Sequence, residues 1–329
     1  MLTASARSAI YQIVHILPQH KVIVPAYTCE VVIEAVHYAK KEVVFVDIDR
    51  KTLNIEEYPL IDNDTIVIAT HQYGSLSDVR TLAEECRKKG AVLIEDCAGA
   101  FGGRIGSQLV GTIGDYSVFS FSASKTVHSP TKGGFIMAKD KEKLDMIQRL
   151  PEQWGGHKLF KMKQLAKGIG FCLANNRIMT SLAYSMRRKS KSQQHEEPRM
   201  DYSYHREIYE WQAYVVLKQL EGIEERLMER RNLFAKYSNS INNIMITKPV
   251  AQWGGVFIRY AILVDERERF VSWCKENNIS VGTGYQKIYC PSSCDVAHEV
   301  SKKVVYLPFG NGFSHKEIKK VIEIINTYK

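Results

Sequence analysis

The sequence lacks several features that would assign it to particular classes of protein. None of its apolar runs is long enough to cross a bilayer, so no membrane-spanning helix is predicted. The first residues, Met1 to Arg7, contain no apolar core of the signal-peptide type. The seven cysteines are odd in number and scattered along the chain, which favours reduced thiols over a disulfide framework. We therefore expect a cytoplasmic protein.

Two common ligand-binding patterns are also missing. No Gly-x-Gly-x-x-Gly motif follows the first predicted strand, so a dinucleotide site is not supported. Cys290, Cys294 and His298 are each separated by three residues, a spacing that fits no common zinc pattern. We interpret them as ordinary loop residues and expect no metal. The 329 residues are 45% hydrophobic and 25% charged, as in globular proteins with a large core.

Acidic residues are absent from one long segment. Between Gln153 and His195 there is no Asp or Glu, and the cations found there equal in number the net charge of +9: Lys158, Lys161, Lys163, Lys167, Arg177, Arg187, Arg188, Lys189 and Lys191. The basic character is therefore local. Apolar groups within the segment predict amphipathic helices, which would contact an anionic membrane surface or form a solvated lid or dimer contact.

The order of predicted elements indicates an α/β fold. Predicted strands and helices alternate in the first half of the chain, which is typical of a mostly parallel, doubly wound sheet; the strands cover 22–24, 43–47, 65–69 and 91–94, and the helices 3–17, 28–39 and 77–89. An amphipathic pattern predicts a long helix over 207–238. Beyond it, strands over 256–264, 279–282 and 304–308 and helices over 266–277, 295–303 and 314–328 predict an α+β unit.

These patterns predict two domains. The larger would cover residues 1–240, including a basic helical insert at about 157–198 and a long connecting helix at about 205–238. The smaller α+β domain would cover residues 241–329.

Two reactive side chains follow buried strands in the stretch from Ala91 to Met137. The apolar run Val92 to Ile94 ends in Glu95 and Asp96, and a second apolar strand from Tyr116 leads to Lys125. Strand ends are where open α/β sheets bind ligands. A pyridoxal phosphate site needs one lysine to form the Schiff base and one acid to keep the pyridine nitrogen protonated. The pair therefore predicts such a site.

With these residues in view, the chain resembles the DegT/DnrJ/EryC1/StrS family of pyridoxal-phosphate-dependent sugar aminotransferases, which have fold type I. The resemblance covers nearly the whole chain and is most specific around Asp96 and Lys125. The matching motifs are VIVPAYT at 22–28, VFVDID at 44–49, EDCAGAFG at 95–102, GD at 114–115 with FSF at 119–121, QA at 212–213 and LP at 307–308.

The resemblance implies roles for individual residues. Lys125 would be the Schiff-base lysine and proton shuttle, and Asp96 would pair with the pyridine nitrogen. Ser120 would bind the cofactor phosphate, together with Ala6 and Arg7 at the start of the first helix. The amino donor would be glutamate, and the acceptor a nucleotide- or lipid-linked keto-sugar in sugar or surface-polysaccharide biosynthesis. The resemblance also implies a homodimer with a shared active site, and we expect no nucleic-acid partner.

Three positions depart from the family pattern. Gly99 stands where the family has Gln or His against the phenolic oxygen of the cofactor, and Cys29 where an aromatic residue stacks on its ring. His205 replaces the Asn that a neighbouring subunit lends to the phosphate, and Arg7 would compensate as a cationic clamp. These changes leave two alternatives open: a lyase or dehydratase acting on a sugar, or a non-catalytic binding protein or hetero-oligomer subunit.

Overall fold

The computed structural model describes residues 1–58, 61–150, 208–250, 254–310 and 312–329, with isolated positions between 162 and 170. The predicted basic insert and His205 lie outside the described residues. Within the described residues, no helix combines the length and apolar composition needed to cross a membrane.

A seven-stranded mixed sheet forms the centre of the first half of the chain. Five neighbouring strands are parallel, and the last two at one edge run antiparallel to their neighbours, in the order β1-β9-β8-β5-β4-β2-β3. Its strands are β1 (Leu2–Thr3), β2 (Lys21–Pro25), β3 (Glu42–Val46), β4 (Thr65–Thr70), β5 (Val92–Asp96), β8 (Tyr116–Ser120) and β9 (Gly134–Ala138). A separate hairpin joins β6 (Arg104–Ile105) to β7 (Gln108–Leu109). The predicted α/β fold with a mostly parallel sheet is confirmed.

Apolar side chains are buried on both faces of this sheet. Val22 and Val24 of β2 pack in one apolar cluster, and Ile23 between them packs in another. Side chains of a strand point alternately to opposite faces, so each face needs a layer of its own. The helices of this half of the chain are α1 (Ala6–Ile16), α2 (Glu30–Tyr38), α3 (Val79–Lys89) and α4 (Lys141–Gln148).

The second half of the chain forms an antiparallel sheet of four strands. Their order is β10-β11-β13-β12, and they comprise β10 (Ile246–Thr247), β11 (Tyr260–Val264), β12 (Gly282–Thr283) and β13 (Val304–Leu307). The helices are α5 (Glu210–Leu220), α6 (Ile223–Ser240), α7 (Arg267–Glu276), α8 (Asp295–Lys303) and α9 (His315–Ile325). One apolar cluster joins this sheet to α6, α7 and α9 through Phe234, Phe270 and Ile318, among others.

The single long helix predicted over 207–238 is wrong. The helix is interrupted between α5 and α6, where Gly222 has φ +70. This left-handed conformation costs glycine nothing and ends an α-helix. The amphipathic pattern continued across the break because Leu220 and Ile223 are both apolar.

Two strand predictions in the second sheet also need correction. The strand predicted over 256–264 begins only at Tyr260, because the Ile258 N–H bonds to the Tyr73 carbonyl at 2.9 Å instead of a sheet neighbour. The strand predicted over 279–282 is displaced to Gly282–Thr283. The later start of the strand at Tyr260 matters for the fold, because residues 254–259 instead form contacts that bring the two sheets together.

Candidate active site

The carboxyl ends of several parallel strands open into one cavity of about 430 Å³. Every predicted site residue in the described part of the chain contributes to its wall: Ala6, Arg7, Cys29, Asp96, Gly99, Ser120 and Lys125. This volume is that of a small-molecule site. The position agrees with the rule that open α/β sheets bind ligands beyond the carboxyl ends of their strands.

Asp96 is the last residue of β5 and is buried at the base of the cavity. The Ala98 N–H donates to its Oδ1 at 3.0 Å. Burial raises the pKa of Asp96, although this N–H and the charge of Lys125 act in the opposite direction. A cationic ring nitrogen beside the carboxylate would offset the cost of its burial. Asp96 therefore fits the acid that pyridoxal phosphate requires.

Lys125 lies on the loop that follows β8. In the sheet, β8 is the neighbour of β5 on the side opposite to β4. Its N–H donates to the Ser122 carbonyl at 2.9 Å, and this turn directs the chain back towards the sheet. Burial lowers the pKa of Lys125, against an opposing effect of Asp96. A lowered pKa increases the fraction of neutral amine, which is the nucleophilic form.

Helix α5 holds the loop that carries Lys125. The Gln212 side-chain amide donates to the Lys132 carbonyl at 2.9 Å and also contacts the hydroxyls of Ser129 and Thr131. Two turns further along, Gln219 accepts from the N–H of His128 at 3.1 Å and donates to its carbonyl. These contacts fix the far side of the loop to a rigid element.

The start of α1 forms an end of the cavity wall that suits an anion. Ser5 caps the helix, accepting from the Ser8 N–H at 3.1 Å. Ala6 and Arg7 are the first residues of α1 and lie in the cavity wall, and the N-terminus of a helix favours the binding of a phosphate. A Cβ on Gly134 would lie 2.7 Å from the Ala6 nitrogen, so the glycine lets β9 and α1 approach closely.

The side chain of Arg7 is engaged within the protein. Its Nη1 lies 2.9 Å from a carboxylate oxygen of Glu34 on α2, and both side chains are largely buried. The predicted role of Arg7 as a phosphate clamp stays a prediction. The fit to a phosphate rests instead on Ser120 and the first turn of α1, which share the cavity wall.

The departures at Gly99 and Cys29 have local structural explanations. A Cβ on Gly99 would lie 3.1 Å from the His71 carbonyl oxygen and 3.2 Å from the Gly74 nitrogen. Backbone atoms therefore crowd the position at which the Cβ of a larger residue would lie. Cys29 is the N-cap of α2, and burial raises the pKa of its thiol, keeping it neutral beside the cavity.

Residues from the second sheet complete the cavity, and sequence reasoning missed them. Tyr306 of β13 donates to the Tyr73 hydroxyl at 2.5 Å, and Tyr73 also contacts the hydroxyl of Tyr27 at 2.8 Å. The Tyr285 N–H donates to Tyr27 at 3.2 Å. Arg259 lies in the same wall, its guanidinium 5.6 Å from the centre of the Tyr306 ring. Tyr27 and Tyr285 fall in stretches that resemble family motifs, but no spacing in the sequence relates Tyr73, Arg259 and Tyr306 to the site.

Comparison with known proteins gives a consistent result. The model of the DegT/DnrJ/EryC1/StrS aminotransferase family matches residues 3–326. The dTDP-3-amino-3,6-dideoxy-alpha-D-galactopyranose transaminase of Aneurinibacillus thermoaerophilus is 26% identical over 323 residues, covering 94% of this chain and 78% of that protein. The GDP-perosamine synthase of Escherichia coli O157:H7 is 33% identical over 129 residues, covering 38% of this chain and 35% of that protein.

The fold is also similar to solved structures. The crystal structure of DesV from S. venezuelae, in complex with a ketimine intermediate, superimposes with a TM-score of 0.77 at 20% identity. That superposition covers 99% of this chain and 83% of DesV.

Proposed function

Since the chain belongs to the DegT/DnrJ/EryC1/StrS aminotransferase family, whose members depend on pyridoxal phosphate, we propose that it moves an amino group from glutamate to a keto-sugar carried by a nucleotide or a lipid. The observation that carries the proposal is the placement of Asp96 and Lys125 at the ends of the adjacent strands β5 and β8, in one cavity. The related transaminases named above act on nucleotide-linked sugars, which supports this substrate class.

The bound cofactor supplies an electron sink for the charge that develops on the substrate carbon. The Asp96 carboxylate would hold the proton on the ring nitrogen. Ser120 and the start of α1 would hold the phosphate. The Lys125 amine would anchor the cofactor and carry a proton to and from the reacting carbon.

Lys125→Ala tests this assignment. We expect the variant to lose the visible absorbance band of the lysine–cofactor linkage, while Lys141→Ala, at the exposed start of α4, keeps it. A variant at position 125 that retains the band would overturn the role of Lys125.

Two further measurements separate the reaction classes. Glutamate added to the purified protein should bleach this band as the amino group is taken up, which a lyase or dehydratase would not do. A colourless protein that takes up no added pyridoxal phosphate would exclude both enzymatic hypotheses, the aminotransferase and the lyase or dehydratase.

We further propose that the chain acts as a homodimer in the cytoplasm, in which each subunit lends His205 to the phosphate site of the other. The family resemblance supports this arrangement. Sedimentation would detect it as twice the chain mass of 37.6 kDa, and a monomer that is fully active would contradict it.

The basic segment supports a second proposal, that the enzyme contacts an anionic membrane surface peripherally. Its nine cations and lack of acidic residues give it a positive potential over a long stretch. Flotation with anionic vesicles should therefore decrease when residues 157–195 are deleted. Equal flotation of both forms would contradict the idea.

A further inference from the structure

Arg259 of the cavity wall and two arginines of α6 have no acidic partner in the part of the chain that the structure describes. Arg226 and Arg230 lie one turn apart on α6, and Arg259 precedes β11. None of them takes part in an ion pair among the described residues, whereas Arg267 and Arg269 pair with Glu268 and Glu266. Nε and Nη2 of Arg226 and Nε of Arg230 are shielded from solvent and make no hydrogen bond.

The backbone holds the three arginines near one another, since Arg226 lies one helical turn before Arg230. Arg230 Nη1 donates to the Phe257 carbonyl at 3.3 Å, and Arg259 Nη1 donates to the adjacent Ile258 carbonyl at 3.3 Å. The same short stretch of backbone therefore brings α6 and Arg259 together. Burial lowers the pKa of Arg230, and the positive charges of Arg259 and Arg226 lower it further.

This arginine cluster, Arg226, Arg230 and Arg259, is continuous with the cavity of Lys125. Arg259 forms part of the cavity wall, and its charge contributes to lowering the pKa of Lys125. Burial also lowers the pKa of His128 on the Lys125 loop, and the charges of Arg226 and Arg230 add to the effect. The cluster therefore borders the cavity through Arg259, with Arg230 held to the neighbouring backbone at Phe257.

Such an arrangement is costly without a ligand. Shielded cations that lack a counter-charge lose hydration, and like charges held together repel one another. Guanidinium groups bind phosphate and carboxylate through paired hydrogen bonds of matching geometry. An anion placed among the three groups would satisfy the shielded N–H donors and relieve the repulsion.

We propose that Arg226, Arg230 and Arg259 form a subsite for an anionic group of the substrate, a phosphate or a carboxylate, that extends from the reacting centre. This deepens the proposed function, on which it rests, by naming the residues that select charged substrates. Two sources carry this chemistry: the diphosphate of a nucleotide-linked acceptor and the carboxylates of the amino donor.

The test uses the cofactor-loaded enzyme and the variants Arg226→Gln and Arg230→Gln. Arg87→Gln, which removes one charge from the exposed end of α3, is the matched control. Calorimetry measures the binding of inorganic pyrophosphate, and stopped-flow absorbance measures how the bleaching rate depends on glutamate concentration. Loss of one charged hydrogen-bond partner should weaken the affected ligand by roughly tenfold or more, with Arg230→Lys intermediate.

The two arms separate the sources of the anion. Weakened pyrophosphate binding with an unchanged glutamate dependence assigns the subsite to a phosphate. A raised half-saturating concentration of glutamate, at an unchanged limiting rate, assigns it to the carboxylates of the donor. If both variants behave as Arg87→Gln in both arms, the proposal is wrong. Pyrophosphate binding needs no turnover, so it remains readable even if the proposed reaction fails.

Thermal stability distinguishes a ligand subsite from a structural cluster. Removing a cation that has no counter-charge should leave the Tm of the ligand-free enzyme unchanged or raise it, because residues retained for function often lower the stability of the fold. A lowered Tm together with a changed oligomeric mass would instead show that the arginines serve folding or subunit contact, and would overturn the proposal.

Discussion

Gly99 is a single residue whose identity follows from its surroundings. It is buried between the turns that follow β4 and β5, where backbone atoms lie 3.1 and 3.2 Å from the position of a Cβ. Neither neighbour is the flexible end of a side chain, so a larger residue has to displace the turn at His71 to Gly74. The departure from the family pattern is thus coupled to the conformation of this turn, in which Tyr73 has φ +55 and Gly74 φ +95.

Gly99→Gln, which restores a residue typical of the family, should therefore destabilise the protein. Forcing a side chain into packed backbone costs about 1–3 kcal/mol of unfolding free energy. Gly312→Gln is the control, because among the described residues, its chain neighbours aside, no atom lies within 4 Å of a Cβ at that position. Chemical denaturation of both variants measures the difference, and equal stability would show that the turn adjusts freely.

The residues that sequence reasoning found are those that follow a strand. Asp96 and Lys125 were predictable because each comes after an apolar run, and parallel strands place their carboxyl ends at one edge. Arg259 and Tyr306 were not, because they reach the cavity through the packing of the second sheet. The roles assigned to Ser120, Ala6, Arg7, Cys29, Gly99 and His205 stay predictions.

At the scale of elements, Glu95 joins β5 to the loop between β7 and β8. It is fully buried, and its carboxylate accepts from the N–H groups of Gly111 at 2.8 Å, Ile113 at 2.7 Å and Gly114 at 2.6 Å. His71 lies 3.4 Å away through Nε2, while its Nδ1 accepts from Ser77, so Nε2 carries the proton. Burial alone would raise the pKa of Glu95, but these donors hold it below its ordinary value.

A depressed pKa in the folded protein links stability to pH. Glu95 contributes its stabilisation above the pKa it has in the unfolded chain, and loses it as the pH falls through the lower folded value. Glu95→Gln should therefore lower the unfolding free energy at neutral pH by about 2–3 kcal/mol, and by progressively less in acid. Urea unfolding across this range measures it, with Glu85→Gln on α3 as the surface control. Parallel profiles for Glu95→Gln and the wild type would refute the argument.

The link between α5 and the Lys125 loop predicts an effect on cofactor binding. Gln212→Ala removes the donor to Lys132 and the contacts to Ser129 and Thr131. We expect faster amide exchange across residues 121–132 and a dissociation constant for pyridoxal phosphate raised by about tenfold, the equivalent of one lost hydrogen bond. Gln148→Ala, at the exposed end of α4, should change neither. Unaltered amide exchange in the Gln212 variant would show that the loop keeps its conformation without these contacts.

Element boundaries were predictable where local chemistry sets them. Helix α8 begins and ends as predicted, at Asp295 and Lys303, and Ser314 caps α9 where the last helix was expected to begin. The errors fall where one backbone angle or a long-range contact decides, as at Gly222 and Ile258. Neither the φ of a glycine nor the hydrogen bond from Ile258 to Tyr73 can be read from hydrophobic spacing.

At the scale of the whole molecule, tyrosine hydroxyls join the two sheets across the cavity. Tyr27 and Tyr73 follow β2 and β4 of the first sheet, and Tyr306 belongs to β13 of the second. The Tyr73 hydroxyl is shared by the other two, at 2.8 Å and 2.5 Å. Gly284 permits the arrangement, since a Cβ there would lie 2.1 Å from the hydroxyl of Tyr27. We therefore expect this network to contribute to the relative position of the sheets, and hence to the width of the cavity, beside the apolar cluster that also joins them.

Tyr73→Phe should consequently cost more than Tyr306→Phe. The first substitution leaves the buried hydroxyl of Tyr27 and the partly buried hydroxyl of Tyr306 without their shared partner, at about 1–3 kcal/mol of unfolding free energy. The second removes one outer group, at about 1 kcal/mol. In the double variant the costs should fall short of additivity, because the two residues share one hydrogen bond. Tyr214→Phe, on an exposed ring of α5, is the control and should be neutral. Equal, additive costs for Tyr73 and Tyr306 would mean that the hydroxyls act separately, and that apolar packing alone sets the position of the two sheets.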